Sequence, residues 1–210
     1  DAFVGTVVVD QANIVAVLQQ NEEVPYQGEV IDCQGKLITP GFIDAHSHQD
    51  FFAVKENNLR YFETFIQQGV TTTIAGNCGF SVAGFSPDSS YQHLVGGGLF
   101  SGGNTPLPTF QAFTKEVNRL SPINLASFVG HSTARIGVAG NQGEPLSQDQ
   151  LTRMLASMET AMDQGALGVS LGLMYVPSKY APYEELVAIA KLVKKKNKIL
   201  SIHARACSKV

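Results

Sequence analysis

From about residue 37 onward, short apolar runs alternate strictly with amphipathic helical patterns. No other feature limits the architecture as much, because strand–helix alternation is the signature of βα units feeding a parallel sheet. Residues 42–45 form the first expected strand. A helix follows, with Leu59, Phe62 and Ile66 on one face and Gly69 as its stop. Residues 70–75, dense in β-branched side chains, form the second strand. The third, 123–129, is reached through a helix carrying Phe110, Phe113, Val117 and Leu120. Ser147 and Gln150 make a capping-box pattern. Leu151, Met154, Leu155, Met158 and Met162 then follow at helical spacing, and Gly165 closes the helix. Strand four is 166–171. A helix over 182–196 buries Leu186, Ile189, Ala190 and Val193, and strand five is 199–202. The expectation is five strands and four helices in alternation.

The flanking segments read differently. Residues 1–36 hold short strand patterns at 4–9, 14–18 and 29–32, with turn chemistry between them. They form part of a small β layer that is too short to bury a core alone. Residues 84–108 are rich in Gly and Pro and read as a long loop on the strand-exit side, of the kind used as lids or binding loops. At 44% hydrophobic and 16% charged residues, the chain is too apolar to be disordered. A formal charge of -3 argues against a nucleic-acid partner bound by counterion release. No run approaches the ~18 apolar residues of a membrane span, so no membrane partner is expected. No basic segment followed by an apolar core marks the N-terminus, which starts at Asp1 rather than Met. Three cysteines without framework spacing favour a reducing compartment, and the expected location is cytoplasmic.

Polar residues collect at the ends of the expected strands, where parallel α/β architectures place their active sites. Strand one runs into His46-Ser47-His48, strand two into Gly76-Asn77-Cys78-Gly79 and strand three into Gly130-His131-Ser132. Strand four runs into Gly172-Leu173-Met174-Tyr175, and strand five into His203-Ala204-Arg205. Four of the five histidines fall on this one rim. In an extended segment His46 and His48 share a side, because side chains alternate with period two. Taken singly, Cys78 reads as a buried small hydrophobe and His203 as a satisfied core histidine. Their joint placement with His46 and His48 favours a shared metal site, since zinc accepts imidazole nitrogen and thiolate sulfur.

The segment Pro40-Gly41-Phe42-Ile43-Asp44-Ala45-His46-Ser47-His48 resembles the first-strand motif of the amidohydrolase superfamily. Gly69-Val70-Thr71-Thr72-Thr73, Gly76-Asn77-Cys78-Gly79-Phe80-Ser81, Gly130-His131-Ser132-Thr133-Ala134-Arg135 and the stretch from Gly165 to Pro177 narrow the resemblance to the N-acyl-D-amino-acid deacylase (D-aminoacylase) family. The likeness covers about residues 35–205, and its most specific element is Gly-Asn-Cys-Gly. Related dihydroorotases and hydantoinases bridge two metals with a carboxylated lysine on strand four. Strand four offers no lysine here, and Lys179 lies well past its end.

The resemblance implies a zinc-dependent hydrolase with one or two ions, acting on a small-molecule N-acyl amino acid. It implies an incomplete (β/α)8 barrel at 37–210, with about five of eight strands, beside part of a small N-terminal β-sandwich at 1–36. His46 and His48 match a pair holding one metal. Cys78 matches a thiolate that holds the other and can bridge, and His203 matches the strand-five ligand. Tyr175 matches a tyrosine lining the substrate pocket. His131, Ser170 and Arg135 carry no metal role and are expected to be structural, while Asp44 is expected to orient the first histidines. The family's catalytic aspartate and a further histidine ligand come from later strands, so neither Asp44 nor Asp50 is assigned as the base. The family also places an acidic residue after the strand-five Arg, where this chain has Ala206-Cys207-Ser208. A closed barrel takes ~250 residues. These 210 are therefore expected to be poorly stable and inactive alone. A cyclic-amide hydrolase and a non-catalytic metal-binding chain are the alternative readings.

Overall fold

A computed structural model describes residues 2–86, 88–96, 107 and 109–206. Residues 87, 97–106 and 108 of the expected loop over 84–108, together with Cys207 and Ser208, lie outside the described residues. The chain divides into two compact units, 1–40 and 41–210. In the first, β1 (Gly5–Asp10) and β2 (Asn13–Gln19) pair antiparallel from Gly5↔Gln19 to Asp10↔Asn13. Residues 29–32, expected as a third strand, form none: Val30 and Ile31 have no ladder partner and stand 90% and 78% exposed. A β-rich composition alone does not make a strand; the backbone also needs a neighbour to bond.

The second unit is a parallel arc. Its strands are β3 (Phe42–Asp44), β4 (Val70–Ala75), β5 (Asn124–Ser127), β6 (Val129–Gly130), β7 (Gly168–Gly172) and β8 (Ile199–His203). β3, β4 and β5 pair in that order, and so do β6, β7 and β8. β5 and β6 are two halves of the expected third strand, interrupted at Phe128. There the ladder changes partner: Phe128 N–H donates to Ala75 O, and Leu167 N–H donates to Ser127 O. β7, inside the arc, is buried at every residue. The outer strands leave Phe42, Ile43, Ile199 and Ile202 more than half exposed.

The helices are α1 (Leu59–Gln67), α2 (Phe110–Leu120), α3 (His131–Ala139), α4 (Gln148–Asp163) and α5 (Tyr183–Lys195). α4 shows how sequence becomes packing. Ser147 Oγ accepts from Gln150 N–H at 3.2 Å while Gln150 Oε1 accepts from Ser147 N–H at 2.9 Å, which satisfies two otherwise orphaned donors. Met154, Met158 and Met162 then fall four residues apart on one face and are fully buried. Each such side chain contributes roughly 1.5–3 kcal/mol.

α3 corrects the expected alternation, because two helices, α3 and α4, separate β6 from β7. All nine residues of α3 are buried. A helix covered on every side has no polar face, so the periodicity that betrays a surface helix is missing.

Candidate metal centre

The site is built on the strand exits. β3 ends at Asp44, one residue earlier than expected, so His46 and His48 lie beyond the strand and period-two alternation does not set their relation. A turn does. Asp44 Oδ1 accepts from His46 N–H at 3.0 Å, so the carboxylate fixes the backbone that carries the first imidazole. The two rings stand 5.9 Å apart at 80°.

The loop after β4 carries Cys78 and is held from several sides. Asn77, 1% exposed, donates through Nδ2 to Ile74 O at 3.0 Å and to Ser47 O at 3.5 Å, and its Oδ1 accepts from Ser201 Oγ. One amide thereby ties the segment after β3 to β4 and β8. Ser170 on β7 donates to Gly76 O and accepts from Gly79 N–H at 3.0 Å. Thr133 on α3 both accepts from Ser81 N–H and donates to Ser81 O. Cys78 itself sits at φ 54, a left-handed conformation that a non-glycine residue adopts at a cost and keeps only when its surroundings impose it.

β7 crosses this loop at Gly172. A Cβ there would stand 1.8 Å from Cys78 O, so only glycine permits the approach. Gly172→Ala is expected to displace Cys78 and weaken zinc retention roughly 10–100-fold, the scale of losing a group that orients a ligand. Competition against a zinc chelator measures it, and an unchanged affinity would contradict the role given to this contact.

Among the described residues, His46, His48 and Cys78 form a group whose ligand atoms all lie within 4.8 Å of one another. Cys78 Sγ is 3.3 Å from His46 Nε2 and 3.3 Å from His203 Nδ1, so one sulfur lies between imidazoles from opposite sides of the arc. Tyr175 sets its ring edge-on to His203 at 5.0 Å and meets Phe80 at 5.8 Å. Burial, and secondarily the neighbouring His46, lowers the pKa of His48, which favours the neutral ring that ligates metals. Burial raises the Cys78 thiol, a preference that a bound cation reverses. Burial also pushes Asp50 up to about 7, against backbone hydrogen bonds that include Val82 N–H at 2.9 Å.

A protein-family model described as the amidohydrolase family matches residues 29–198. The chain belongs to the amidohydrolase family. This amidohydrolase is 30% identical to D-aminoacylase of Alcaligenes xylosoxydans xylosoxydans over 182 residues, covering 83% of this chain and 35% of that protein. The N-acyl-D-aspartate deacylase of the same organism is 32% identical over 166 residues, covering 77% and 32%. The chain thus spans about a third of the length of these curated relatives. A crystal structure of D-aminoacylase, described as defining a novel subset of amidohydrolases, superposes with a TM-score of 0.80 at 30% identity, covering 97% of this chain and 42% of that one. The N-acyl-D-glutamate deacylase of Bordetella bronchiseptica, complexed with zinc and a phosphonate mimic of the tetrahedral intermediate, gives a TM-score of 0.67 at 30% identity, covering 80% and 34%. The resemblance to the D-aminoacylases is therefore borne out, and the parallel arc is part of a TIM-type amidohydrolase fold.

His131 stays outside the metal-capable group of this amidohydrolase. It is fully buried and turns its ring to Glu185 Oε1 at 2.7 Å and Ser178 Oγ at 2.9 Å. Arg135 is equally buried and donates through Nε to Glu185 at 3.1 Å. Neither Glu185 nor Ser178 is among the expected site residues. Glu185 had a visible signal: it lies four and eight residues before Ile189 and Val193, as an acid on the buried stripe of α5.

Proposed function

We propose that this amidohydrolase cleaves the amide bond of N-acyl-D-amino acids with zinc, releasing a carboxylate and a free D-amino acid. The observation that carries the reading is Cys78, a thiol with an imidazole nitrogen 3.3 Å away on either side, in a family setting where the named relatives are D-aminoacylases and N-acyl-D-amino-acid deacylases. The donor set fits zinc. Metal–ligand distances of ~2.0–2.3 Å in a tetrahedral shell put neighbouring donors roughly 3.3–3.7 Å apart, in line with both Cys78 contacts. In this reading His46 and His48 would hold one ion and His203 a second, with Cys78 the thiolate available to either. A relative's structure concerns a binuclear metal centre with one-metal activation and second-metal attenuation, which supports one or two ions here.

Zinc, when bound, supplies Lewis-acid polarisation of the scissile carbonyl and activation of water. The remaining work falls to the chain. Asp44 and Asn77 keep the ligands at their strand exits before any ion arrives. Tyr175, half-buried, borders the substrate beside His203. The free thiols of Cys33 and Cys78 fit a reducing, cytoplasmic setting. No helix among the described residues is long and apolar enough to cross a membrane. Residues 1–36 contribute to a small β-sandwich in this reading.

The test is a chiral assay on the zinc-loaded full-length protein with N-acetyl-D- and N-acetyl-L-amino acids. Selective release of the free D-amino acid is expected. Opening of hydantoins with neither enantiomer cleaved would replace the reading with cyclic-amide hydrolysis. Inertness toward all three substrates would leave metal binding without catalysis.

A further inference from the structure

A second polar constellation lies buried behind the candidate metal centre, and no step of the proposed hydrolysis uses it. Ser178, His131 and Arg135 are 0% exposed and Glu185 is 2% exposed. Their bonds form one chain. Ser132 Oγ lies 2.7 Å from Ser178 Oγ, Ser178 Oγ lies 2.9 Å from His131 Nδ1, and His131 Nε2 lies 2.7 Å from Glu185 Oε1. Arg135 Nε joins the same carboxylate oxygen at 3.1 Å, and its two terminal nitrogens donate to Gln142 O and Glu144 O. The arrangement has the residue types of a nucleophilic triad, but its serine is sealed from any substrate. Its chemistry is therefore positional.

The bonding order follows from the charges. Burial works against ionising Glu185, but the hydrogen bond from His131 and the charges of His131 and Arg135 outweigh it and hold its pKa low. An ionised Glu185 only accepts, so His131 donates from Nε2. Ser178 Oγ meets both His131 Nδ1 and Ser132 Oγ, so one hydroxyl ties two residues of α3 to the segment that follows β7.

What the network holds is the segment over residues 173–181. That segment leaves β7 at Gly172, the glycine pressed on Cys78, and carries Tyr175 against His203. Three residues on, it plants Ser178 in the buried chain. We infer that the Ser132–Ser178–His131–Glu185 network is a latch that positions the Tyr175 segment for substrate, with Ser178 as its anchoring hydroxyl and His131 and Glu185 as positioning residues acting through it. The substrate part of this inference rests on the deacylase reading; the latch itself does not.

The test compares wild type with Ser178→Ala and Ser178→Thr in the zinc-loaded full-length protein. Amide hydrogen exchange in residues 173–181 is expected to accelerate at least tenfold in Ser178→Ala, with α4 unchanged. Ser178→Thr, which keeps the hydroxyl, is expected to stay near wild type. Zinc content is expected to be equal in wild type and Ser178→Ala. Exchange in 173–181 that stays at the wild-type rate in Ser178→Ala, or that rises equally throughout the molecule, overturns the latch. The kinetic arm reads KM against kcat for the N-acetyl-D-amino acid: KM rises about tenfold in Ser178→Ala with kcat within twofold. If both constants are unmoved, or if kcat falls alone, the link to substrate is wrong. A wild type that cleaves no N-acyl-D-amino acid sinks the deacylase reading, while the exchange data still decide the latch.

Discussion

Cys78→Ala is expected to lose tightly held zinc, with affinity falling at least ~100-fold, beyond the range of ~10–100-fold that partners of ligands typically command. The reason is geometric. His46, after β3, and His203, at the end of β8, each lie 3.3 Å from the sulfur, so its removal takes a donor from both groupings at once. Hydrolase activity is expected to fall with the metal. The fold is not, because the loop is kept by Asn77, Ser170 and Thr133 rather than by the thiol. Elemental analysis after dialysis measures the zinc, and thermal unfolding checks the fold. Cys33→Ala serves as the control, since Cys33 belongs to the separate 1–40 unit and is expected to leave zinc content untouched. Unchanged zinc in Cys78→Ala would remove this residue from the centre, and the reading of the site would go with it.

The strand exits were legible before any coordinates because each expected strand ended in a distinct polar cluster. The parallel arc confirms that periodicity, from Val70–Ala75 to the five buried residues of Gly168–Gly172. Two features escaped for physical reasons. α3 is buried along its whole length, so it offers no amphipathic signature. The break at Phe128 arises because one strand must satisfy β4 on one side and β7 on the other, a tertiary demand that local sequence does not record. At the site, residue types were readable but relations were not. His46 and His48 are related by the Asx-type turn of Asp44 rather than by a strand's alternation. Asn77 was visible only as one letter of Gly-Asn-Cys-Gly, and the fold alone reveals that its amide joins the segment after β3 to β4 and β8. The histidine at 131 shared the rim in sequence yet bonds to Glu185 and Ser178, outside the metal-capable group. Its direction is decided by an acid 54 residues further along, on another helix.

Glu185→Leu is expected to destabilise the 41–210 unit strongly while leaving the proposed zinc ligands untouched. The substitution keeps α5's buried stripe apolar, and a hydrophobic side chain there has neighbours in Ile189 and Val193. It nonetheless strands Arg135, whose guanidinium is 0% exposed, without its carboxylate, and it leaves His131 Nε2 without an acceptor. Breaking a buried ion pair by deleting one partner costs about 3–5 kcal/mol, because the remaining charge is desolvated and uncompensated. At ~2–4 °C per kcal/mol for a unit of this size, the midpoint should drop by roughly 6–20 °C. Arg135→Met in the same chain is expected to restore part of the loss, since it withdraws the orphaned charge; a double-mutant cycle reads that recovery directly. The pH dependence has a definite sign. Glu185 is held below its ordinary value of 4.5, so its contribution is present above that pH and is lost as pH falls through the lower, folded value. The stability gap between wild type and Glu185→Leu is therefore widest near neutral pH and narrows below about 4.5. A loss under ~1 kcal/mol at pH 7, the scale of an exposed pair, would mean that water already reaches Arg135. The sealed network inferred behind Tyr175 would then have no basis.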